Sequence, residues 1–281
     1  MKTILLPYRG DERANAPLEL AYAVATHFGG YIEGLFVRQP PPLVSGEGIT
    51  IPGDYITELE EEARHASQRA KESFAQFMSG KGVPLEDVRF AAEGASAGWR
   101  DAEGFESRVV GEHGRLFDLI IVGCASRPSA GENDAVCEAA LFDSGRPVMM
   151  APAEPPETLG RTIVVAWNGS TETARTIGFG MPFLLDAEKV VVLTVEGSTV
   201  PGPGPDQVAD HLVRNGVKAE AKTVPSDGRA AGQAILDECR AAGADLLLKG
   251  AYTHSRLRQM IFGGATSHIL AHADLPVFMA H

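Results

Sequence analysis

The 281-residue sequence predicts an α/β protein made of two tandem five-stranded, mainly parallel sheets flanked by helices. Two observations predict this class. Short apolar runs of strand length alternate with amphipathic segments of ten or more residues, which is the pattern of parallel sheets covered by helices on both faces. The same order of runs occurs twice, so the sequence predicts two copies of one structural unit.

Three pairs of matching segments, in the same order, define the repeat. The pairs are 2–10 (KTILLPYRG) with 161–169 (RTIVVAWNG), 118–123 (DLIIVG) with 245–250 (DLLLKG), and 147–151 (PVMMA) with 276–280 (PVFMA). Between the copies, the Pro-rich and polar segment 152–160 has the composition of a domain linker. We therefore expect a first unit at residues 1–152 and a second unit at residues 161–281.

In the first unit, apolar runs predict strands, and apolar residues three and four positions apart predict helices. After the opening strand, the expected elements are a helix at 17–27, a strand at 31–38, a long helix at 56–77, a strand at 88–92, a helix at 105–116, a strand at 118–122, a helix at 134–142 and a strand at 147–150. The first copy is longer than the second, mainly through the long helix and the segment around Trp99 and Phe105.

The second unit repeats this order. After its opening strand, the expected elements are a helix at 171–185, a strand at 190–195, a helix at 206–215, a strand at 217–223, a helix at 230–242, a strand at 245–249, a last helix around Ile269 and Ala273, and a final strand from Pro276. Each unit leaves its last strand as a sheet edge, and an unpaired edge is a hazard. Two copies in one chain can remove this hazard by pairing these edges.

Composition excludes several classes. The net charge of −12 and the lack of a Lys/Arg block argue against a nucleic-acid partner. No stretch approaches the roughly 20 apolar residues that a membrane span requires, and the N-terminus predicts a first strand, so we expect a cytoplasmic protein without a membrane partner. Cys124, Cys137 and Cys239 form no C-x-x-C pair, and we expect buried thiols.

The stretch from Asp245 to His281 carries the strongest functional signal. It predicts a strand, a glycine-punctuated loop, a helix and a final strand, with Gly250 ending the first strand and Gly263-Gly264 preceding the helix. Backbone amides therefore gather at a helix start beside the carboxyl end of a strand, where an α/β sheet holds an anion. The alternative is structural: the glycines end a strand and allow a tight turn.

This stretch resembles the universal stress protein family, whose nucleotide-binding members carry a strand followed by G-x2-G-x9-G-[ST]. The pattern falls on Gly250, Thr253, Gly263 and Gly264, of which Gly250 and Gly263 match, and Thr266 could supply the missing hydroxyl. The resemblance implies an adenine nucleotide alpha hydrolase-like, Rossmann-like fold. It also implies that the last strands of the two units pair as an intrachain pseudo-dimer; whether two chains form a homodimer stays open.

The resemblance further implies ATP or AMP as a ligand of the second unit, with Mg²⁺ only where ATP is bound. Asn168 stands where nucleotide-binding members have an Asp that contacts adenosine, although an Asn-Gly turn before a helix capped by Ser170 or Thr171 explains it equally well. The residues assigned to this candidate site are Ala166, Asn168, Val195, Lys249, Gly250, Thr253, Arg256, Gly263, Gly264, Ala265 and Thr266.

The first unit is expected not to bind ATP. The repeat alignment places Asp134 and Ala135 against Gly263 and Gly264, and a carboxylate at that point repels a polyanion. Arg9 replaces the residue that corresponds to Asn168. We therefore expect the first unit to act structurally or as a partner surface.

Other motifs add little. His268 and His272 are four residues apart on a predicted helix, which is compatible with a metal, although helix-end histidines are the simpler interpretation. Asp101, Glu103 and Glu106 are interpreted as a solvated helix face.

Three functions stay open. The first is a non-enzymatic stress-response or signalling module that binds an adenine nucleotide in its C-terminal half. The second is an interaction module with vestigial pockets. The third is a slow ATP hydrolase, which needs a metal-binding carboxylate that the second-unit loop does not offer.

Overall fold

A computed structural model describes most of the chain. The described residues are 1–11, 15–40, 53–85, 94–123, 131–154, 156–251 and 264–281. Within them, ten strands form one continuous sheet with helices on both faces.

The first unit alternates strands and helices. Its elements are β1 (Thr3–Pro7), α1 (Asn15–Phe28), β2 (Tyr31–Arg38), α2 (Gly53–Gly80), β3 (Ser96–Glu103), α3 (Glu106–His113), β4 (Leu119–Gly123), α4 (Gly131–Asp143) and β5 (Val148–Ala151). A single 3-10 turn at Gly114–Leu116 extends α3 toward β4, so the predicted helix at 105–116 is present in two parts.

The second unit repeats the alternation. Its elements are β6 (Thr162–Ala166), α5 (Thr171–Asp186), β7 (Lys189–Val195), α6 (Pro205–Arg214), β8 (Ala219–Val224), α7 (Ala231–Ala242), β9 (Leu246–Gly250), α8 (Ala265–His272) and β10 (Val277–Ala280). Each predicted helix and strand of this unit is present, with ends that differ from the expected ones by a few residues.

The strand order is β3-β2-β1-β4-β5-β10-β9-β6-β7-β8. Neighbouring strands are parallel except β5 and β10, which pair antiparallel with Phe278 opposite Met149. The two predicted five-stranded sheets therefore join through their last strands into one sheet, which removes two open edges. This is the intrachain pairing that the repeat predicts.

The third strand of the first unit is not where the sequence analysis places it. The strand that pairs with β2 along its whole length is Ser96–Glu103, whereas the expected strand at 88–92 lies outside the described residues. The sequence SAGWRDAE lacks an apolar run because β3 is the edge of the sheet, and its second half is mostly exposed to solvent. Apolar runs identify buried strands and miss such an edge strand.

An aspartate performs the same task in both units. A carboxylate oxygen of Asp118 accepts hydrogen bonds from the backbone amides of Lys2 and Thr3 at 2.7 and 3.1 Å. Asp245 accepts from the amides of Arg161 and Thr162 at 3.1 and 3.0 Å. The segments that match between the two units therefore make an equivalent contact in each unit. In both, it joins the start of the fourth strand to the start of the first.

The units also pack together beside the central strand pair. The rings of Phe28 on α1 and Phe183 on α5 meet edge to face with centroids 4.9 Å apart. Phe183 in turn contacts Phe278 on β10 at 5.9 Å. These aromatic contacts join a helix of each unit to the strand at the junction. Edge-to-face ring pairs of this kind stabilise a fold by more than the burial of their apolar area alone.

Two further expectations concern the cysteines and the membrane. Cys137 and Cys239 are buried, as expected, and Cys124 lies outside the described residues. Burial raises the pKa of the Cys239 thiol to about 12. None of the described helices is both long enough and apolar enough to cross a bilayer.

Candidate functional site

The candidate site lies at the carboxyl edge of the second unit, between β6 and β9. The chain runs from β6 outward to β7 and β8 and then returns to β9 on the other side of β6, so the strand order reverses between these two strands. Ala166 is paired in register with Lys249 at this point. Ligands of open α/β sheets bind at such a switch point, outside the carboxyl ends of the strands.

Lys249 is the most unusual side chain at this edge. It is 8% exposed and lies among the buried ends of β9 and β10. Its Nζ donates hydrogen bonds to the hydroxyl of Thr266 at 2.7 Å and to the carbonyl of Gly250 at 2.8 Å. Burial lowers the pKa of Lys249 to about 8, and among the described residues no neighbouring charge opposes this shift. The strand therefore holds an ammonium group under the first turn of α8.

The start of α8 has no side-chain cap. Gly264 occupies the N-cap position with extended backbone angles, and no side chain of the described residues accepts a hydrogen bond from this first turn. Helix α5 offers a contrast, because its N-cap Ser170 accepts from the amide of Thr173 at 3.2 Å. An uncapped helix start leaves unpaired N–H groups and the positive end of the helix dipole. Both favour a negatively charged ligand.

Gly250 is required by packing between the sheet and α5. A Cβ atom at this position would lie 2.5 Å from the backbone nitrogen of Thr173 and 2.6 Å from its hydroxyl oxygen. The Thr176 hydroxyl, one turn further along α5, lies 3.3 Å from the carbonyl oxygen of Lys249 and accepts from the amide of Ala280 at 3.1 Å. The structural interpretation of Gly250 thus has a direct physical basis, independent of any ligand.

Asn168 forms the turn that the sequence predicts as its alternative. Its side-chain oxygen accepts hydrogen bonds from the amide of Ser170 at 3.2 Å and from the hydroxyl of Thr173 at 2.8 Å. Gly169 follows with φ of +86°, a left-handed conformation that favours glycine. Asn168 therefore organises the start of α5, and its oxygen already has two donors from its own chain.

A segment after β7 covers this turn, and the sequence analysis did not anticipate it. The amide of Val200 donates to the carbonyl of Asn168 at 2.8 Å, and the indole of Trp167 donates to the carbonyl of Pro203 at 2.8 Å. A Cβ atom on Gly202 would lie 2.6 Å from the carbonyl oxygen of Gly169. The glycines of GSTVPGPG were the available signal, because backbone segments approach this closely only where one of them lacks a side chain.

The remaining predicted site residues fall into two groups. Ala166 and Val195, which the family resemblance assigns to the candidate site, are 6% and 3% exposed at the ends of neighbouring strands. Ala265 and Thr266 form the first turn of α8 after Gly264. Thr253, Arg256 and Gly263 lie outside the described residues. The structure thus places Ala166, Val195, Lys249 and Gly250 on adjacent strands of one edge and Thr266 directly above Lys249.

In the first unit, a helix takes the place of the covering segment. A Cβ atom on Gly10, the counterpart of Gly169, would lie 2.9 Å from the Cα atom of Ala70 on α2. Tyr8, the counterpart of Trp167, shares a hydrogen bond of 3.0 Å with Ser73 on the same helix. Arg9, the counterpart of Asn168, donates from Nε to Glu106 at 3.0 Å. This edge of the first unit is therefore packed by α2 and by an ion pair.

The interpretation of Asp101, Glu103 and Glu106 as a solvated helix face is wrong. Asp101 and Glu103 end the edge strand β3 and pair with Arg38 at 2.6 and 3.8 Å. Glu106 is buried in the first turn of α3, where it meets Arg9. Gly104, with φ of +141°, separates β3 from α3, so Glu106 lies on a different element from Asp101 and Glu103.

His268 and His272 do not converge on a shared point. Their rings stack with centroids 4.3 Å apart, while His268 contacts the side-chain oxygen of Gln233 at 3.1 Å and His272 contacts the carbonyl of His268 at 2.9 Å. Burial lowers the pKa of His268, and the charge of His272 acts in the same direction. No group of three or more metal-ligating side chains occurs in the part of the chain that the structure describes.

Fold and site together define a class: a two-unit α/β protein with a buried lysine beside a helix start at the switch point of its second unit. Comparison with known proteins gives the family. Residues 160–281 match the profile of the universal stress protein family, and a universal stress protein of Synechocystis sp. is 23% identical over 99% of both chains. The second unit therefore matches the universal stress protein family, and the whole chain is similar to a universal stress protein.

Solved structures show the same fold over the full length. A universal stress protein from Archaeoglobus fulgidus superimposes with a TM-score of 0.67 at 18% identity, covering 99% of this chain and 95% of that one. A putative universal stress protein from Pseudomonas aeruginosa has a TM-score of 0.52 at 15% identity, covering 99% of this chain and 92% of that one. These chains share the tandem architecture with the present protein.

Proposed function

We propose that this protein is a non-enzymatic, cytoplasmic stress-response or signalling module whose second unit binds ATP, AMP or a related adenine nucleotide. The observation that carries the proposal is the contact between Lys249 and Thr266, which brings a buried ammonium to an uncapped helix start at the switch point. A phosphate group is the ligand chemistry that such a site favours. Mg²⁺ accompanies the ligand only where that ligand is ATP.

The neighbouring strand ends support a nucleoside beside the phosphate. Ala166 and Val195 present apolar side chains at the carboxyl ends of β6 and β7, next to the end of β9. Apolar walls with a few polar groups are typical of small-ligand sites. The adenosine part would have to fit beside the covering segment 196–204, which contacts Trp167, Asn168 and Gly169.

The units of residues 1–152 and 161–281 have different roles in this proposal. In the first unit, α2 packs on Gly10 and Arg9 pairs with Glu106, and we assign this unit a structural or partner-binding role. The expected stoichiometry is therefore one nucleotide per chain.

An interaction module without nucleotide is the second candidate, and the covering segment favours it. The side-chain oxygen of Asn168 has two donors from its own chain, and its carbonyl accepts from Val200. In that case the edge of the second unit is filled by protein. Slow ATP hydrolysis is a third candidate function. It would be favoured if the wild-type protein released more phosphate from ATP than a binding-deficient variant does.

Native mass spectrometry of protein purified without added nucleotide, followed by calorimetric titration with ATP and AMP, tests the proposal. We expect one nucleotide per chain. The matched control is Gly264→Asp, because an aspartate at the N-cap occupies the anion site of α8 with its own carboxylate. Bare wild-type protein that gives no heat with either nucleotide would contradict the proposal and favour the interaction module. The same spectra report whether two chains associate.

A further inference from the structure

The charge distribution around α8 differs from that of the rest of the chain. Between Asp245 and Asp274 the sequence contains no acidic residue, and its charged residues are Lys249, Arg256 and Arg258, in a protein of net charge −12. The corresponding stretch of the first unit, between Asp118 and Asp143, carries one arginine and three acidic residues: Arg127, Glu132, Asp134 and Glu138. The two matching stretches of sequence therefore carry net charges of opposite sign.

Lys249 is buried without a counter-ion in the part of the chain that the structure describes. Its two hydrogen-bond acceptors, the Thr266 hydroxyl and the Gly250 carbonyl, are both neutral. An ammonium group has three N–H donors, so one donor and the whole charge lack a partner among the described residues. Lysine is rarely buried in proteins unless it is paired with an opposite charge.

The helix above the ammonium increases the need for a negative charge. Thr266, which contacts Lys249 Nζ, lies in the first turn of α8, and no side chain in the described part of the chain caps this turn. Two positive features therefore meet: a side-chain charge and the positive end of a helix dipole. Repulsion between them is removed when an anion is shared by both.

We propose that Lys249 is the counter-ion for a phosphate group of the ligand bound by the second unit. Lys249 is then a specificity-determining residue, which makes the site select phosphorylated adenine nucleotides over adenosine. This inference rests on the proposed function of the second unit and adds the group that the site recognises. Since a lysine neutralises the phosphate, AMP binds in the absence of divalent metal.

The test compares the affinities for adenosine, AMP and pyrophosphate in buffer with a metal chelator. Lys249→Met removes the charge and keeps an unbranched side chain of similar length. Lys249→Gln keeps an N–H donor toward Thr266 without the charge, so it serves if the methionine variant folds poorly. Lys189→Met is the control, because Lys189 is half exposed at the start of β7, at the opposite edge of the sheet, and pairs with Glu220 at 2.8 Å.

We expect wild type and the Lys189 variant to bind AMP more tightly than adenosine. Both Lys249 variants should lose about ten- to a hundredfold in AMP affinity, because a charged hydrogen bond is removed, and should keep their affinity for adenosine. Equal AMP affinity in wild type and in the folded Lys249 variants would overturn the inference, as would a wild type that binds neither AMP nor pyrophosphate.

The two proposals fail in different ways. If wild type binds pyrophosphate through Lys249 and binds no nucleotide or adenosine, the proposed nucleotide function is wrong and the role of Lys249 in anion binding is confirmed. If wild type binds AMP and adenosine equally, the nucleotide function is confirmed and the counter-ion role is wrong.

Discussion

The Nζ atom of Lys249 on β9 lies 2.7 Å from the hydroxyl oxygen of Thr266 on α8. This contact joins the carboxyl end of a central strand to the start of the helix that follows it. It places the positive charge of a residue that is 8% exposed under a helix start without a side-chain cap. The free protein therefore stores an unfavourable charge at the place where the family resemblance implies a phosphate.

The first prediction concerns stability and pH. Burial lowers the pKa of Lys249 from 10.5 to about 8, so the unfolded chain binds more protons than the folded chain between pH 8 and 10.5. The stability contribution of this residue therefore rises with pH across that window, and its full cost, about 3 kcal/mol, applies below pH 8. Lys249→Met should be more stable than wild type at pH 7 by up to about this amount, and the difference should vanish toward pH 10.5.

Urea unfolding at several pH values measures this difference. Burial raises the pKa of the Cys239 thiol to about 12. This thiol is present in both proteins, so its contribution to the pH dependence of stability cancels in the comparison. Asp237 and His268, on the two helices α7 and α8, are likewise unchanged in the variant. A constant stability difference from pH 7 to pH 10 would show that Lys249 carries no charge cost in the folded protein.

The second prediction separates packing from ligand binding at Gly250. Gly250→Ala brings a Cβ atom within 2.5 Å of the Thr173 nitrogen, and the resulting shift of α5 should cost about 1–3 kcal/mol in the absence of any nucleotide. Gly178→Ala on the same helix is the control, because a Cβ atom there meets nothing within 4 Å. That change should stabilise the helix by about 0.5–1 kcal/mol. Thermal unfolding that ranks the two variants in the opposite order would contradict this account of Gly250.

The third prediction concerns the start of α8. Gly264→Asp should stabilise the helix by about 0.5–1 kcal/mol, because a carboxylate at the N-cap pairs with free amides and with the helix dipole. The same carboxylate should abolish nucleotide binding. Gly264→Ser supplies a neutral cap and should reduce affinity less. Chemical unfolding and calorimetric titration should therefore change in opposite directions for the aspartate variant; unchanged affinity would place the ligand elsewhere.

The fourth prediction uses the repeat. Asp118 and Asp245 each accept hydrogen bonds from two backbone amides at the start of the first strand of their unit. Asp118→Ala and Asp245→Ala should each destabilise the protein by about 1–3 kcal/mol, because two backbone amides, one of them half-buried, lose a charged acceptor. Equilibrium unfolding of both variants checks this. A loss in one unit and none in the other would show that the two contacts are not equivalent.

Much of the fold was predictable because its central strands are apolar on both faces. Runs such as DLIIVG and DLLLKG, the long amphipathic helix α2 and the repeat itself predict the order of elements and the pairing of β5 with β10. The edge strand β3 was missed because an exposed strand needs no apolar run. Apolar sequence patterns therefore predict the central strands of this sheet better than its edge strands.

The site was less predictable, because its contacts join residues that are distant in sequence. The family resemblance predicts Lys249 as a site residue, but only the structure pairs it with Thr266 and shows that its charge is buried. The contact of Trp167 with Pro203 depends on how the segment 196–204 crosses the end of β6. Local sequence patterns do not predict the path of that segment. Asn168 was assigned two alternative roles, and the structure shows the turn-forming one.

The most direct test of the central claim is a measurement of the pKa of Lys249. An NMR titration of protein labelled with ¹³C-lysine, recorded with and without AMP, gives this pKa. The free protein should titrate Lys249 at about pH 8. A bound phosphate supplies an opposite charge and should raise this pKa clearly above that value. A pKa that is unchanged under saturating AMP would show that the phosphate does not lie beside Lys249 and would contradict the account.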